Sequence, residues 1–208
     1  MRLRIHFQKT NAMRYTGHLD LHKAWERAMR RAKLPLAYSQ GFHPQPKINL
    51  ACALPLGFTS DCELVDIILE NEFVLDEIES RLDLALPPGI KIVDIKSIDD
   101  HAKSLQPQVQ SAEYQLTMLT ECPDLQKRIN DLCATKEIQR IRRGKSYDLR
   151  PLIEQIQILP KDDKGYTRLK VRLAAREGAT GRPEELIAAL GYNPLDTRYH
   201  RTDLIIAG

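Results

Sequence analysis

The sequence predicts an α+β protein made of two successive units with the same element order, strand-helix-strand-strand-helix-strand. Three observations predict it. Short segments alternate apolar and polar residues at the period of a half-buried strand, as in Arg2–Phe7, Ile90–Ile98 and Tyr166–Ala174. Longer segments carry apolar residues at helical spacing, as in His18–Lys33 and Val74–Leu86. The order of the two kinds comes round twice in 208 residues, a length that suits one large domain or two of about 100 residues each.

In the first strand, Leu3, Ile5 and Phe7 oppose Arg2, Arg4 and His6. Gly17-His18 opens a helix to about Lys33, with Leu21, Trp25, Ala28, Met29 and Ala32 on one face. His22, Lys23, Arg27, Arg30, Arg31 and Lys33 supply its polar faces, Glu26 is spaced to pair with Arg30, and Leu34-Pro35 ends it. Leu36–Tyr38 and Ile48–Leu54 read as strand pieces on either side of Gly41-Phe42-His43-Pro44-Gln45-Pro46-Lys47. That heptapeptide can be neither helix nor interior strand. A glycine and two prolines punctuate it, and each residue before a proline is pushed towards extended geometry. It is expected to be a rigid, exposed loop that holds His43 and Lys47 still; the plainer reading has Phe42 plugging the core. Leu64–Leu69 is the hairpin partner across Gly57–Cys62. Val74–Leu86 is a helix with Leu75, Ile78, Leu82 and Leu86 inward, stopped by Pro87-Pro88-Gly89, and Ile90–Ile98 closes the unit.

Residues 100–111 are polar, contain Pro107 and have little to bury, so they read as a linker between units at 1–99 and 112–208. In the second unit Tyr114–Leu119 is a strand, and Pro123–Ala134 a helix with Leu125, Ile129 and Leu132 inward. Ile138–Arg142 is a strand that leads through Gly144 towards Leu149 and Ile158. Tyr166–Ala174 alternates Leu169, Val171 and Leu173 with Arg168, Lys170 and Arg172. Arg182-Pro183-Glu184-Glu185 starts a helix with proline and carboxylates in its first turn, Gly191 stops it, and Leu204–Ile206 is a last short strand. The order β-α-β-β-α-β, twice, is a tandem of ferredoxin-like units.

Composition narrows the function classes. No apolar run approaches the roughly 18 residues that span a bilayer, and the N-terminal MRLRIHFQK alternates with no signal-peptide core, so a cytoplasmic protein without membrane association is expected. Cys52, Cys62, Cys122 and Cys133 form no CxxC pair or CxxxCxxC run, which reads as reduced thiols and argues against an iron–sulfur cluster held by this chain alone. No Walker A loop, GxGxxG fingerprint, GxSxG elbow or zinc-ribbon spacing occurs. Net charge is only +3 but uneven: residues 1–50 carry ten Lys/Arg against two Asp/Glu, and residues 51–100 three against twelve. A basic segment followed by an acidic one points to one polyanion-facing surface.

The candidate phosphate-binding set is Arg14, Gly17, His18, Lys23, Arg27, Arg30 and Arg31, around a helix start whose backbone N–H groups are free. His18 and His22 stand at i and i+4 but lack the HExxH glutamate, so they read as surface histidines and no metal is expected. His18, His43, Tyr38 and Lys47 could converge at one end of the first sheet, enough for acid–base cleavage of RNA through its own 2′-hydroxyl. Arg140, Arg142, Arg143 and Lys145 around Gly144 form a second patch, with Arg140 and Arg142 on one strand face and Arg168, Lys170 and Arg172 as a ladder beside them. His200 and Arg201, just before the final strand, either reach the same surface or cap the sheet edge. Aromatics make up only 6% and no RNP-type motif occurs, which favours phosphate contact over base stacking.

RIHFQK, RYTGHLDLHKAWERAMRRAKLPLAYSQGFHPQPKINLACALPLG and VDIILE in the first half, with YDLRPLI, RPEEL and HRTDL in the second, resemble the radical-SAM-linked protein family. That family is a domain of unknown function that stands alone or is attached to the C-terminus of B12-binding-type radical S-adenosylmethionine proteins. The resemblance covers nearly the whole chain. It implies a partner that carries S-adenosylmethionine and the iron–sulfur cluster, with neither bound by this chain. The tandem ferredoxin-like order is also similar, more distantly and at the level of fold alone, to the repeat-processing endoribonucleases of CRISPR systems, whose glycine-rich C-terminal loop is not evident here. The function expected is an accessory protein without catalytic activity of its own, which binds tRNA or rRNA with the two patches and the loop Gly41, Phe42, His43 and Lys47, and presents it for modification. The alternatives are a metal-independent endoribonuclease using His18 or His43, and a protein–protein adaptor for the radical enzyme.

Overall fold

The computed structural model describes residues 1–142 and 144–207. The chain divides into two compact units, Met1–Gln108 and Val109–Gly208. The first contains β1 (Arg2–Lys9), α1 (His18–Arg31), β2 (Ile48–Leu50), β3 (Phe58–Ile68), α2 (Leu75–Ala85), β4 (Ile90–Ile98) and a single helical turn, α3 (Leu105–Gln108). Its strands are antiparallel in the order β4-β1-β3-β2, which is the ferredoxin-like arrangement. Alternation puts Leu3, Ile5 and Phe7 of β1 on one face, opposite Val65 and Ile67 of β3, and all five are fully buried. Against that face α1 lays Leu21, Trp25 and Met29, and α2 lays Ile78 and Leu82. Phe7 and Trp25 meet edge to face at 5.0 Å between ring centroids.

The other face of β1 is not an open basic one. Asp66 on β3 is fully buried and takes Arg2 at 2.7 Å and Arg4 at 2.9 Å. Arg2 also donates to the carbonyls of Ala102 (2.5 Å) and Lys103 (3.2 Å), which ties the segment after β4 back to the sheet.

The second unit contains β5 (Val109–Met118), α4 (Leu125–Ala134), β6 (Gln139–Arg142), β7 (Lys145–Asp148), β8 (Ile153–Leu159), β9 (Thr167–Arg176), β10 (Ala179–Thr180), α5 (Pro183–Ala189) and β11 (Thr197–Ile206). Its main strands are antiparallel in the order β11-β5-β9-β8, the same arrangement again. The fold class expected from element order is therefore observed in both units.

Several boundaries differ from the sequence reading, for physical reasons. The stretch 100–111 is not structureless: α3 lies in it, and β5 begins at Val109, five residues before the expected Tyr114. Ile48–Leu54 keeps strand geometry only to Leu50, with Ala51 N–H giving a last bond to the Leu64 carbonyl at 2.9 Å. β3 begins at Phe58, because its polar start Thr59–Glu63 pairs with β1 as far as Lys9 opposite Ser60. Ile138–Arg142 does not lead into the sheet; it forms a separate two-stranded hairpin, and Ile153–Leu159 supplies the sheet strand. Among the described residues, no helix is long and apolar enough to cross a membrane.

Candidate nucleic-acid interface

The C-terminal end of α1 is closed by a Schellman pair: Leu34 N–H bonds the Met29 carbonyl (3.0 Å), Lys33 N–H bonds that of Arg30 (3.1 Å), and Lys33 takes positive φ. This turn sends the chain back along the helix. Tyr38 Oη accepts from Arg30 at 3.2 Å, and ten residues later the Ile48 carbonyl lies 3.1 Å from His22 Nε2. The segment 38–48 therefore flanks the helix between those two points. Its loop is closed at the base by a Tyr38–Pro46 bridge, by Ser39 N–H to the Gln45 carbonyl (2.8 Å) and by Gln45 N–H to Ser39 Oγ (2.9 Å). Lys47 N–H to the Ala37 carbonyl (2.8 Å) and Ile68 N–H to that of Lys47 (3.0 Å) fasten it to the edge of the sheet.

Exposed on this flank are Lys23, Arg27 and Arg30 of α1 with Gly41, Phe42, His43 and Lys47 of the loop. Phe42 does not plug the core: at 103% relative exposure it touches none of it. The side chains of Lys23, Arg27, His43 and Lys47 have no ion pair or hydrogen bond among the described residues, whereas Arg30 is paired with Glu26 at 2.7 Å. No Asp or Glu occurs between Glu26 and Asp61; the carboxylates of α1 are Glu26 and Asp20, which stands three residues before Lys23 and makes no ion pair with it among the described residues.

The other candidates of the first unit are engaged. Arg31 donates Nε (2.9 Å) and a terminal nitrogen (2.5 Å) to the Ala85 carbonyl, which caps the end of α2 and pins it to α1. Arg14 gives Nε to the Gly57 carbonyl at 2.9 Å and accepts from Gly57 N–H at 2.9 Å. Gly17 is the residue before α1 and His18 its first. His18 is twelve residues before Arg30, about 18 Å along the helix axis, so the helix carries it away from the end that holds Tyr38.

The second patch is largely consumed. On β6 the exposed side chains are Gln139 and Ile141, the latter at 78%, so alternation turns Arg140 and Arg142 towards the protein, opposite to an outward basic face. Arg142 reaches Glu185 on α5 at 2.7 Å and the Thr180 carbonyl at 3.1 Å, and lies 4.7 Å from the centre of the Tyr147 ring, whose hydroxyl also donates to Glu185. The ladder on β9 is neutralised by Glu113, the cross-strand partner of Arg172, at 2.5 Å from Arg172 and 2.7 Å from Lys170. Burial would raise the Glu113 carboxyl, but the bonds from Lys170 and Arg172 outweigh it and hold the group below its ordinary value. Lys145 and Gly144 are exposed; Arg143 lies outside the described residues. His200 and Arg201 stand inside β11 rather than before it, because that strand starts at Thr197. Arg201 is buried over the Tyr114 ring, with a bond of 3.2 Å to its hydroxyl.

The sequence reading did not reach a cleft of about 510 Å³ in the second unit, lined by Arg128, Asp131, Glu137, Arg140 and Gly191 among others. Arg128 donates to the Leu190 carbonyl at 2.9 Å and covers the Tyr192 ring. The signal for it, basic residues on α4 facing the glycine that stops α5, is split over more than sixty positions. Among the described residues no three His, Cys, Asp or Glu side chains gather as metal ligands would.

Solved structures show only distant likeness. The chain is 12% identical to one in the crystal structure of a Cbf5-Nop10-Gar1 complex, with a TM-score of 0.49 over 97% of this chain and 48% of that one, so it spans about half that chain's length. It is 10% identical, with a TM-score of 0.26 over 99% of this chain and 97% of the other, to a protein assigned as a glycine cleavage system transcriptional repressor. A search of curated proteins returns no match. The family model described as "Uncharacterized protein conserved in bacteria (DUF2344)" matches residues 2–183, and the chain belongs to that family.

Proposed function

We propose that this protein is an RNA-binding accessory of a radical S-adenosylmethionine enzyme, without catalysis of its own, which presents tRNA or rRNA for modification. The observation that carries the RNA half is the flank of the first unit, where Lys23, Arg27 and Lys47 stand exposed without side-chain partners among the described residues. Cations not neutralised by the protein are the ones that phosphates can neutralise, with release of counterions. The enzyme half is supported by the resemblance of the long central motif to the radical-SAM-linked family. In this reading S-adenosylmethionine and the cluster belong to the partner, as that resemblance implies.

The adaptor reading has one observation in its favour. Tyr15 (78%), Leu19 (75%) and Leu56 (63%) are exposed around the paired Arg14 and Gly57, an apolar group at the other end of α1 that suits a protein partner.

The test is binding of the purified chain to total RNA at low and moderate salt, with and without EDTA, followed by a gel of the bound RNA. Binding that weakens steeply with salt and leaves the RNA intact is expected. No salt-dependent binding would overturn the RNA reading, and discrete cleavage in EDTA, lost in His18→Ala or His43→Ala, would replace it with the endoribonuclease. A stable complex with the radical enzyme in the absence of RNA would favour the adaptor.

A further inference from the structure

We infer that Phe42 is a stacking platform for an unpaired base, so that the RNA taken by this flank is single-stranded where it meets the loop. The inference rests on the RNA reading above and deepens it. Phe42 is the most exposed large apolar side chain among the described residues, and it does nothing for the core. Leaving a phenylalanine in water forgoes the gain of burying it, and its place at a loop tip leaves the aromatic face open to a ligand.

The backbone that carries the ring is fastened at its base. Tyr38–Pro46, Ser39–Gln45 and Lys47–Ala37 close its base, Pro44 and Pro46 stiffen one limb, and Gly41 at φ +128° makes the turn that lifts Phe42 out. A loop base closed before binding leaves less backbone to order on contact.

The surroundings say what the ligand is. Lys47 on the loop beside His43, with Lys23 and Arg27 on the adjoining helix, makes a border in which three cations outnumber the helix carboxylates Asp20 and the already paired Glu26. A flat aromatic face within a cationic border matches a base attached to its phosphates. In a duplex the base faces are covered by their neighbours, and the A-form major groove is too deep and narrow for side chains. An aromatic loop therefore gains its contact from unpaired nucleotides.

The test compares the full chain with Phe42→Ala and Phe42→Trp. The probes are a short unpaired oligoribonucleotide of mixed sequence and the duplex formed with its complement, each titrated at several salt concentrations. The expected result has three parts. Phe42→Ala weakens binding to the unpaired strand about tenfold and leaves the duplex unchanged. The slope of affinity against salt stays the same, because no phosphate contact is lost. Phe42→Trp binds at least as well as the natural chain. Equal weakening on strand and duplex, or no change on either, overturns the inference while leaving the RNA reading standing. Absence of binding to both probes by the natural chain overturns the RNA reading and the inference with it. A thermal melt of each variant, expected to be unchanged at so exposed a site, excludes misfolding as the cause.

Discussion

The two units share a strand order, yet the basic patch singled out in each uses its cations in the opposite way. In the first, Lys23, Arg27 and Lys47 project from a flank whose carboxylates, Asp20 and Glu26, make no ion pair with them among the described residues. In the second, Arg142 is taken by Glu185, and Arg172 and Lys170 by Glu113. Arg150 donates to the Cys133 carbonyl at the end of α4, and Arg128 to the Leu190 carbonyl. A basic residue met by a carboxylate or a helix-end carbonyl has its hydrogen bonds and much of its charge satisfied by the fold, and it is a poor phosphate ligand without rearrangement. The charge that a surface offers to a polyanion is the count of its cations less those the fold has already paired.

This difference predicts a separation of effects. The largest is expected in the combined Lys23→Glu, Arg27→Glu, Lys47→Glu variant. RNA affinity at low salt should fall about a hundredfold, and the slope of log affinity against log salt should flatten by about 2, the value for three phosphate contacts on a single strand. Stability should move by no more than about 0.5 kcal/mol, as is usual for exposed positions. The converse case is Arg142→Ala. It should cost about 2 kcal/mol in urea unfolding, because Glu185 and Tyr147 lose their partner at a site where both charged side chains are three-quarters or more covered. Its salt slope for RNA should remain that of the natural chain. If Arg142→Ala instead weakens RNA binding at unchanged stability, the two units are alike and the contrast is wrong.

How far this contrast could be read beforehand depends on where the partners lie in the chain. The α1 face was legible because Leu21, Trp25 and Met29 recur at helical spacing, and the same period fixes Lys23 and Arg27 on the outer side. The Glu26–Arg30 pair, four residues apart, was legible for the same reason. Glu113 and Arg172 are 59 residues apart, and only the register of β5 on β9 places them face to face. Glu185 meets Arg142 across 43 residues through a hairpin whose pairing with the main sheet was misjudged. Strand ends were lost where the residues are polar, as at Thr59–Glu63 and Thr197–Asp203, because alternation is visible only when one face is apolar. The exposure of Phe42 was half legible. Gly41, Pro44 and Pro46 announce a loop, but an aromatic in a loop can turn either way, and composition could not decide which.

Glu113→Gln sharpens the comparison from the other side. The natural carboxyl titrates below its unfolded value of about 4.3. Its contribution to stability is thus complete above that pH and lost as pH falls through the lower folded value. In Glu113→Gln this acid-limb loss should shrink, measured as the difference in urea midpoint between pH 7 and pH 3. Lys170 and Arg172, each with about two-fifths of the side chain exposed, are released in the same variant. RNA affinity should rise by about threefold and the salt slope should steepen by about 1, bringing the second unit closer to the first.

The smallest effect concerns how the first unit presents its loop. Gly41 sits at φ +128°, where an added Cβ meets no neighbouring atom within 4 Å, so Gly41→Ala introduces backbone strain without a clash. The cost should be about 1 kcal/mol, and the chain can escape it by relaxing the loop tip while the Ser39–Gln45 bonds hold the base. Global unfolding should therefore barely change. Affinity for an unpaired strand should drop by a few-fold at most, less than on loss of the Phe42 ring, with no change in salt slope. A larger drop than that of Phe42→Ala would mean that the loop backbone, rather than the ring it carries, makes the contact.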